Sequence, residues 1–336
     1  MYNSKIRVEI YEAFIDCLKN NVSVVSFLES NITINKSIKN KEMVKLYTDL
    51  LEVYNIKGDL VLLLEGKIPD DEMLILKLSS EAGDMVIGIQ RAYDICVLKK
   101  KSVDKMFSAL IGPIVMVGLV LLMIGGYSIK VFPEFEAVLP VEQWPKVSST
   151  LYALGGFIFS FGFPVLIFAV VISLFTFNRY LKNGIGNFRE KLSNLPIVSI
   201  LTLNYASVFL GVLSLMIRLN VPVGHTFMNF KSTTNSRWIQ KHMASMQDRQ
   251  AEGLPLGDVL NTGFLPIQLV SKLALYAESA DLSLAADKIF INSQTHLSKD
   301  LDNLSAKLKT IATIIISLFA VWIYLSIMML SNNLAP

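Results

Sequence analysis

The sequence predicts an all-α membrane protein with two homologous cytoplasmic helical-bundle domains and three transmembrane helices. Three observations carry this expectation. First, three long segments hold no charged side chain: Met106–Ile129 between Lys105 and Lys130, the stretch between Lys146 and Arg179, and the stretch after Lys309. Each exceeds the roughly 20 apolar residues that cross a bilayer core as a helix. Second, the polar sequence ahead of the first and third segments repeats. Glu81-Ala82-Gly83-Asp84-Met85 returns as Glu278-Ser279-Ala280-Asp281-Leu282, and Pro69 returns as Pro266, at one offset of 197 residues. Third, apolar residues elsewhere recur at helical spacing, and no Asn-Gly or Asp-Gly turn joins two alternating runs.

The first polar region, residues 1–105, reads as helices. Ile6, Ile10, Phe14 and Leu18 form one face, and Met43, Leu46, Leu50 and Tyr54 form another. Lys57-Gly58-Asp59 punctuates the chain before the apolar run Leu60–Leu64. Pro69 followed by Asp70, Asp71 and Glu72 marks a helix start, because proline suits the first turn and acids there favour the macrodipole. That helix should stop near Gly83, and Asp84 can cap the next. The second polar region, residues 179–308, repeats the scheme. An apolar helix over Phe209–Leu219 breaks at Val221-Pro222-Val223, and a basic helix follows around Trp238–Arg249. Asp258 can cap a short helix, Pro266 opens another, and Asp281 caps the last. The offset is read as an internal duplication. The transmembrane helices fall at 106–130, 150–178 and 309–331, with a loop at 131–149 and a tail at 332–336. The middle crossing is the odd element, needed to return the chain between two copies that each end in an outward helix.

Composition agrees with a membrane protein. The 336 residues are 52% hydrophobic and 18% charged, with a mean hydropathy of +0.49. Soluble domains are less apolar. A net charge of +3 and the lack of a dense Lys/Arg stripe with interleaved aromatics exclude nucleic acid as a partner. Cys17 and Cys96 lie far apart with no metal spacing and read as reduced thiols. Met1–Glu9 has no signal-peptide core, so insertion is expected through the internal segments. Lys99, Lys100, Lys101 and Lys105, then Arg179, Lys182, Arg189 and Lys191, then Lys299, Lys307 and Lys309 flank the three segments. The positive-inside rule places these flanks in the cytoplasm, with the loop and the C-terminal tail periplasmic.

Catalytic chemistry finds no footing. Gly66-Lys67 lacks the upstream glycine and the Ser/Thr of a phosphate loop. His225, His242 and His296 are scattered, so neither a metal nor a cofactor is expected. The charge-free segments offer no ionisable path, which argues against a transporter or channel; such a function would need an oligomer to line a pore. The polar candidates are Glu81 with Asp84 and Glu278 with Asp281, either as helix joints or as partner contacts. Arg237, Lys241 and Arg249 form a candidate basic face, either solvated or meeting an acidic partner.

Three motifs give the chain a resemblance. Each copy carries a proline followed about ten residues later by a Glu-x-(Gly/Ala)-x-apolar joint: Pro69 to Glu81-Ala82-Gly83-Asp84-Met85, and Pro266 to Glu278-Ser279-Ala280-Asp281-Leu282. Asn220-Val221-Pro222-Val223 follows an apolar helix, and Gly126–Pro133 with Trp144-Pro145 forms the outer loop. The pattern resembles the inner-membrane platform proteins of type IV pilus and type II secretion systems, most closely the type IVb branch of toxin-coregulated pili. Neither copy has the family's glycine before Glu, and the second lacks the later one. The resemblance covers nearly the whole chain. It implies a non-enzymatic platform in the bacterial inner membrane, forming a homo-oligomer. Such a platform couples a cytoplasmic hexameric assembly ATPase to pilin subunits and meets other inner-membrane assembly proteins. A type II secretion pseudopilus is the alternative setting. Gly112, Gly118, Gly125 and Gly126 would offer close-packing surfaces to pilin or sister helices.

Overall fold

The computed structural model describes residues 1–184, 186–193, 195–277 and 282–334. The joint residues Glu278 and Asp281 therefore lie outside the described residues. In chain order the helices are α1 (Ser4–Lys19), α2 (Val24–Ser37), α3 (Lys41–Lys57), α4 (Leu60–Leu64), α5 (Asp70–Glu81) and α6 (Met85–Gly126). After a π turn at Tyr127–Val131 come α7 (Phe132–Glu136), a 3-10 turn at Val141–Gln143 and α8 (Lys146–Phe157). A second π turn at Ile158–Gly162 leads to α9 (Phe163–Asn183), α10 (Asn187–Leu192), α11 (Pro196–Arg218), α12 (Val223–Thr233) and α13 (Arg237–Ala251). The chain ends with α14 (Leu256–Leu260), α15 (Ile267–Ala277) and α16 (Leu282–Leu334). No strand forms among the described residues.

The contacts divide the chain into two units. The first joins Met1–Val103 with Lys182–Ser298. Its helix ends follow local chemistry. Asn3 Oδ1 accepts from the Ile6 N–H at 2.9 Å and starts α1, whose predicted face buries Ile10 and Phe14. Helix α3 stops where Gly58 turns to φ +66°, and Asp59 then caps α4 through the N–H of Val61 at 2.6 Å. The end of α5 is a Schellman turn: the Asp84 N–H reaches the Ser79 carbonyl at 3.0 Å, the Gly83 N–H reaches Ser80, and Gly83 has φ +78°. Helix α11 ends in the same way, with Asn220 at φ +57° in place of glycine and the Val221 N–H on the Met216 carbonyl at 2.8 Å. Asparagine is among the few residues that tolerate this conformation.

Helix α11 is the core of the first unit. Phe209 packs against Phe227, Phe230 and Phe264 with centroids 6.1, 5.4 and 5.6 Å away. One sequence expectation changes in this unit. Asp258 lies inside the first turn of α14, and Pro255 holds the cap position, so Asp258 is not the N-cap. Helix α2 buries Leu28 and Asn35.

The second unit joins Asp104–Leu181 with Lys299–Pro336. Its core gathers Val120, Ile124, Phe132, Trp144, Leu151, Ile158, Ile323 and Leu330. The first and third charge-free segments continue α6 and α16 without a break, and α6 runs through Pro113. The middle one is built from α8, the second π turn and α9. Pro164 is the second residue of α9 and follows directly on the π turn.

Three helical stretches are long and apolar enough to cross a membrane: Met85–Glu136, Pro196–Arg218 and Leu284–Asn333. They are not alike. Of the apolar window of Pro196–Arg218, 72% is buried, against 17% for each of the other two. In α9, Val165, Phe168, Val171 and Phe175 are all more than half exposed.

Candidate functional site

Glu72 sits at the centre of the first unit's polar core. It opens α5, where an acid suits the helix N-terminus, yet its side chain is fully buried. The Arg7 guanidinium donates to it at 2.7 Å, the Tyr11 hydroxyl at 2.8 Å and the Lys99 ammonium at 3.4 Å. Lys99 also holds Asp71. Burial pushes the Glu72 carboxyl up, while Lys99 and Arg7 pull it down. Burial, then the charge of Glu72, pushes the Tyr11 phenol well above its ordinary value. The network fastens α1 to α5 across 65 residues of chain and ties both to α6 through Lys99. Burial also raises the thiols: Cys96 rises to about 11 and Cys17 rises too, so both buried, unpaired cysteines are poor nucleophiles.

The joint between α5 and α6 brings its predicted residues together. Asp84 Oδ1 accepts from the Ile87 N–H at 3.1 Å, the geometry of an N-cap. Glu81 is exposed and, among the described residues, makes no ion pair. Gly88 is required here: a Cβ at that position would lie 2.3 Å from Ser79 Cβ, so only glycine lets α6 start against α5.

The basic face divides. Arg249 donates to the carbonyls of Asp258 at 2.8 Å and Asn261 at 2.7 Å, and so closes the end of α14. Arg237 and Lys241 stay exposed one turn apart on α13. Behind them, the His242 ring packs against Trp238 at 4.7 Å and Phe264 at 5.9 Å. Burial, reinforced by Lys241, lowers its pKa to about 4, so it is neutral at physiological pH. Among the described residues no three His, Cys, Asp or Glu side chains converge as a metal site.

In the second unit the motif from Gly126–Pro133 to Trp144-Pro145, with Tyr152, folds into an aromatic knot. Phe132, Trp144 and Tyr152 pack pairwise with centroids 5.4–5.8 Å apart. The Trp144 indole donates to the Leu139 carbonyl at 2.8 Å. Hydroxyls stitch the helices below it: Ser128 donates to the Tyr152 carbonyl at 3.0 Å and Ser148 to the Ser326 carbonyl at 2.8 Å. Gly155 makes the first of these possible, because a Cβ there would meet Ser128 Cβ at 2.3 Å. The four glycines of the first charge-free segment are not equivalent. Gly125 is covered by the Phe159 ring and Gly112 faces Lys309, whereas Gly118 and Gly126 look into open space. Gly118, Leu122, Phe159 and Pro164 line an apolar groove of about 510 Å³.

Sequence reasoning missed Glu72, Arg7 and Tyr11. The sequence signal was an acid, an arginine and a tyrosine set among apolar stripes, which becomes informative only once burial is known.

Residues 209–330 match the family described as type II secretion system (T2SS), protein F. The chain is 30% identical over 338 residues to the toxin coregulated pilus biosynthesis protein E of Vibrio cholerae serotype O1, covering 99% of this chain and 98% of that protein. A match of that extent runs through both units and all three charge-free segments, and the chain therefore belongs to the type II secretion protein F and type IV pilus platform family.

Proposed function

We propose that the protein is the inner-membrane platform of a type IV pilus assembly machine, coupling a cytoplasmic assembly ATPase to the extraction and polymerisation of pilin. The observation that carries this reading is the end-to-end likeness to a pilus biosynthesis protein. The match of residues 209–330 to the secretion protein F family favours a second setting, the platform of a type II secretion pseudopilus. The full-length relative weights the choice toward a pilus. In either setting the protein is a scaffold and turns over no nucleotide itself.

In this reading α6, α8–α9 and α16 cross the membrane and α11 does not. Burial supports it: α11 would have to leave its packing around Phe209 to face lipid, whereas the apolar faces of α6, α9 and α16 lie exposed. The cationic flanks put the N-terminus inside, and the loop 131–149 and the C-terminus outside. Two polar regions related by duplication, each feeding one outward helix, form the cytoplasmic mass. Reporter fusions at Glu142 and Asn333 test the topology: activity only from a periplasmic reporter is expected, and cytoplasmic activity at Asn333 would end the three-span reading. For function, deletion of the gene should abolish fibres, and the tagged full-length protein should co-purify with the ATPase and with pilin. Nucleotide hydrolysis by the purified protein alone would overturn the scaffold reading.

A further inference from the structure

We propose that the groove between α6 and α16 in the first unit docks an acidic amphipathic helix of a partner protein. The groove holds about 650 Å³ and runs beside α6 from Val86 to Lys101. Fifteen residues of helix rise about 22 Å, the length of a four-turn helix and too long for one small molecule. Its apolar floor is Val86, Ile87, Val97 and Ile291, and Ile291 is 60% exposed. Its cations come from three separate helices. Lys19 ends α1, Arg218 ends α11 and Lys101 lies on α6; all three are exposed, and none has a carboxylate partner among the described residues.

Of the two carboxylates of the groove, only one is neutralised. Asp287 is ion-paired with Arg91, which also lies over the Phe290 ring at 4.8 Å. Asp94 accepts from the neutral Gln90 amide at 3.3 Å and keeps its charge. What remains for a ligand is an apolar strip bordered by three unpaired positive charges against one carboxylate, a positive surplus. A helix with apolar residues at three- and four-residue spacing and acids on its flanks matches that surface in length, polarity and charge. The inference rests on the scaffold reading for the existence of a partner, and it names a surface distinct from the basic face of α13.

The test uses the full-length protein in native membranes. A photo-crosslinking amino acid is placed at Ile87 or Ile291, with Ile56, 84% exposed on α3, as the control position. Cross-linked peptides are mapped by mass spectrometry, and co-purification of the assembly ATPase and pilin is scored in the same membranes. Both groove positions, but not Ile56, should give an adduct with one partner segment that is rich in Asp and Glu and apolar at helical spacing. The double change Lys19→Glu with Arg218→Glu should lower adduct yield about tenfold at an unchanged protein level, while Lys19→Arg with Arg218→Lys should keep it. A neutral or basic segment overturns the proposal, as does an adduct that is only lipid or a second copy of this chain, or a yield indifferent to charge reversal. No adduct together with intact co-purification overturns the groove alone. Loss of both in the wild type overturns the platform reading as well.

Discussion

Lys105 and Asp302 stand 197 residues apart in the chain and 2.9 Å apart in space. The number is the offset that separates Pro69 from Pro266. Gly112 faces Lys309 at that same offset in the second unit, and in the first unit Arg91 holds Asp287 at an offset of 196. If the proposed duplication holds, these are equivalent positions of α6 and α16, meeting as the same residue meets its mate across the axis of a two-fold dimer. This register supports the duplication and leads to the first prediction. Cysteines at 105 and 302 should be joined in membranes by a short bifunctional thiol reagent, whereas cysteines at 105 and 316, about 20 Å out of step along the helix, should not. The ion pair itself is exposed and contributes at most about 1 kcal/mol, so Asp302→Ala should leave the protein level unchanged.

The buried network predicts a much larger effect. Glu72→Ala removes the acceptor of Arg7, Tyr11 and Lys99 in a site closed to water. A broken buried pair costs about 3–5 kcal/mol, comparable with the whole stability of a marginal domain. Thermal unfolding in detergent should show a collapsed midpoint, and immunoblots should show little protein. Tyr11→Phe removes one of the three donors and should be milder.

His242 gives a pH dependence of known sign. Its folded pKa, about 4, lies below its ordinary 6.5, so the unfolded chain takes up the proton first as pH falls. The stability that this residue supports is complete above pH 6.5 and is lost progressively toward pH 4. His242→Phe should flatten the fall of the melting temperature across that window. An unchanged slope would place the titration elsewhere.

Gly155 and Gly118 form a matched pair in the second unit. Gly155→Ala drives a methyl against Ser128 and should cost about 1–3 kcal/mol, lowering the amount in membranes. Gly118→Ala meets nothing within 4 Å and should be silent for stability. A loss of fibres from Gly118→Ala at a normal protein level would mark that glycine as a contact for another helix.

Glu81→Ala removes an exposed side chain, and a surface change of this kind shifts stability by no more than about 0.5 kcal/mol. The expected outcome is a normal membrane level with fibre assembly blocked, while Glu278→Ala mainly lowers the protein level. Immunoblots beside a piliation assay decide. Equal loss of protein for both would make both glutamates parts of a helix joint only.

The sequence by itself determined the features that are local or compositional. Gly58, Gly83 and Asn220 end helices because a positive φ is a property of one residue. Lys105 and Lys309 mark where charge stops, which is a property of composition alone. The recurrence of Pro69 and Glu81 gives an offset of 197 residues, the separation in the chain of Lys105 and Asp302. Tertiary structure alone decided what covers each apolar surface. Helix α11, like α6, is long and apolar enough to cross a membrane, yet three phenylalanines close around Phe209 and make it a core. Hydropathy records that a side chain avoids water, not whether lipid or protein replaces it. The same holds for charge. Arg249 and Arg218 look alike along the chain, but one closes the end of α14 and the other borders an open groove. Glu72 reads as an ordinary first-turn acid until Arg7, 65 residues away, is brought beside it. Partners at that separation are chosen by packing, which no window of sequence contains.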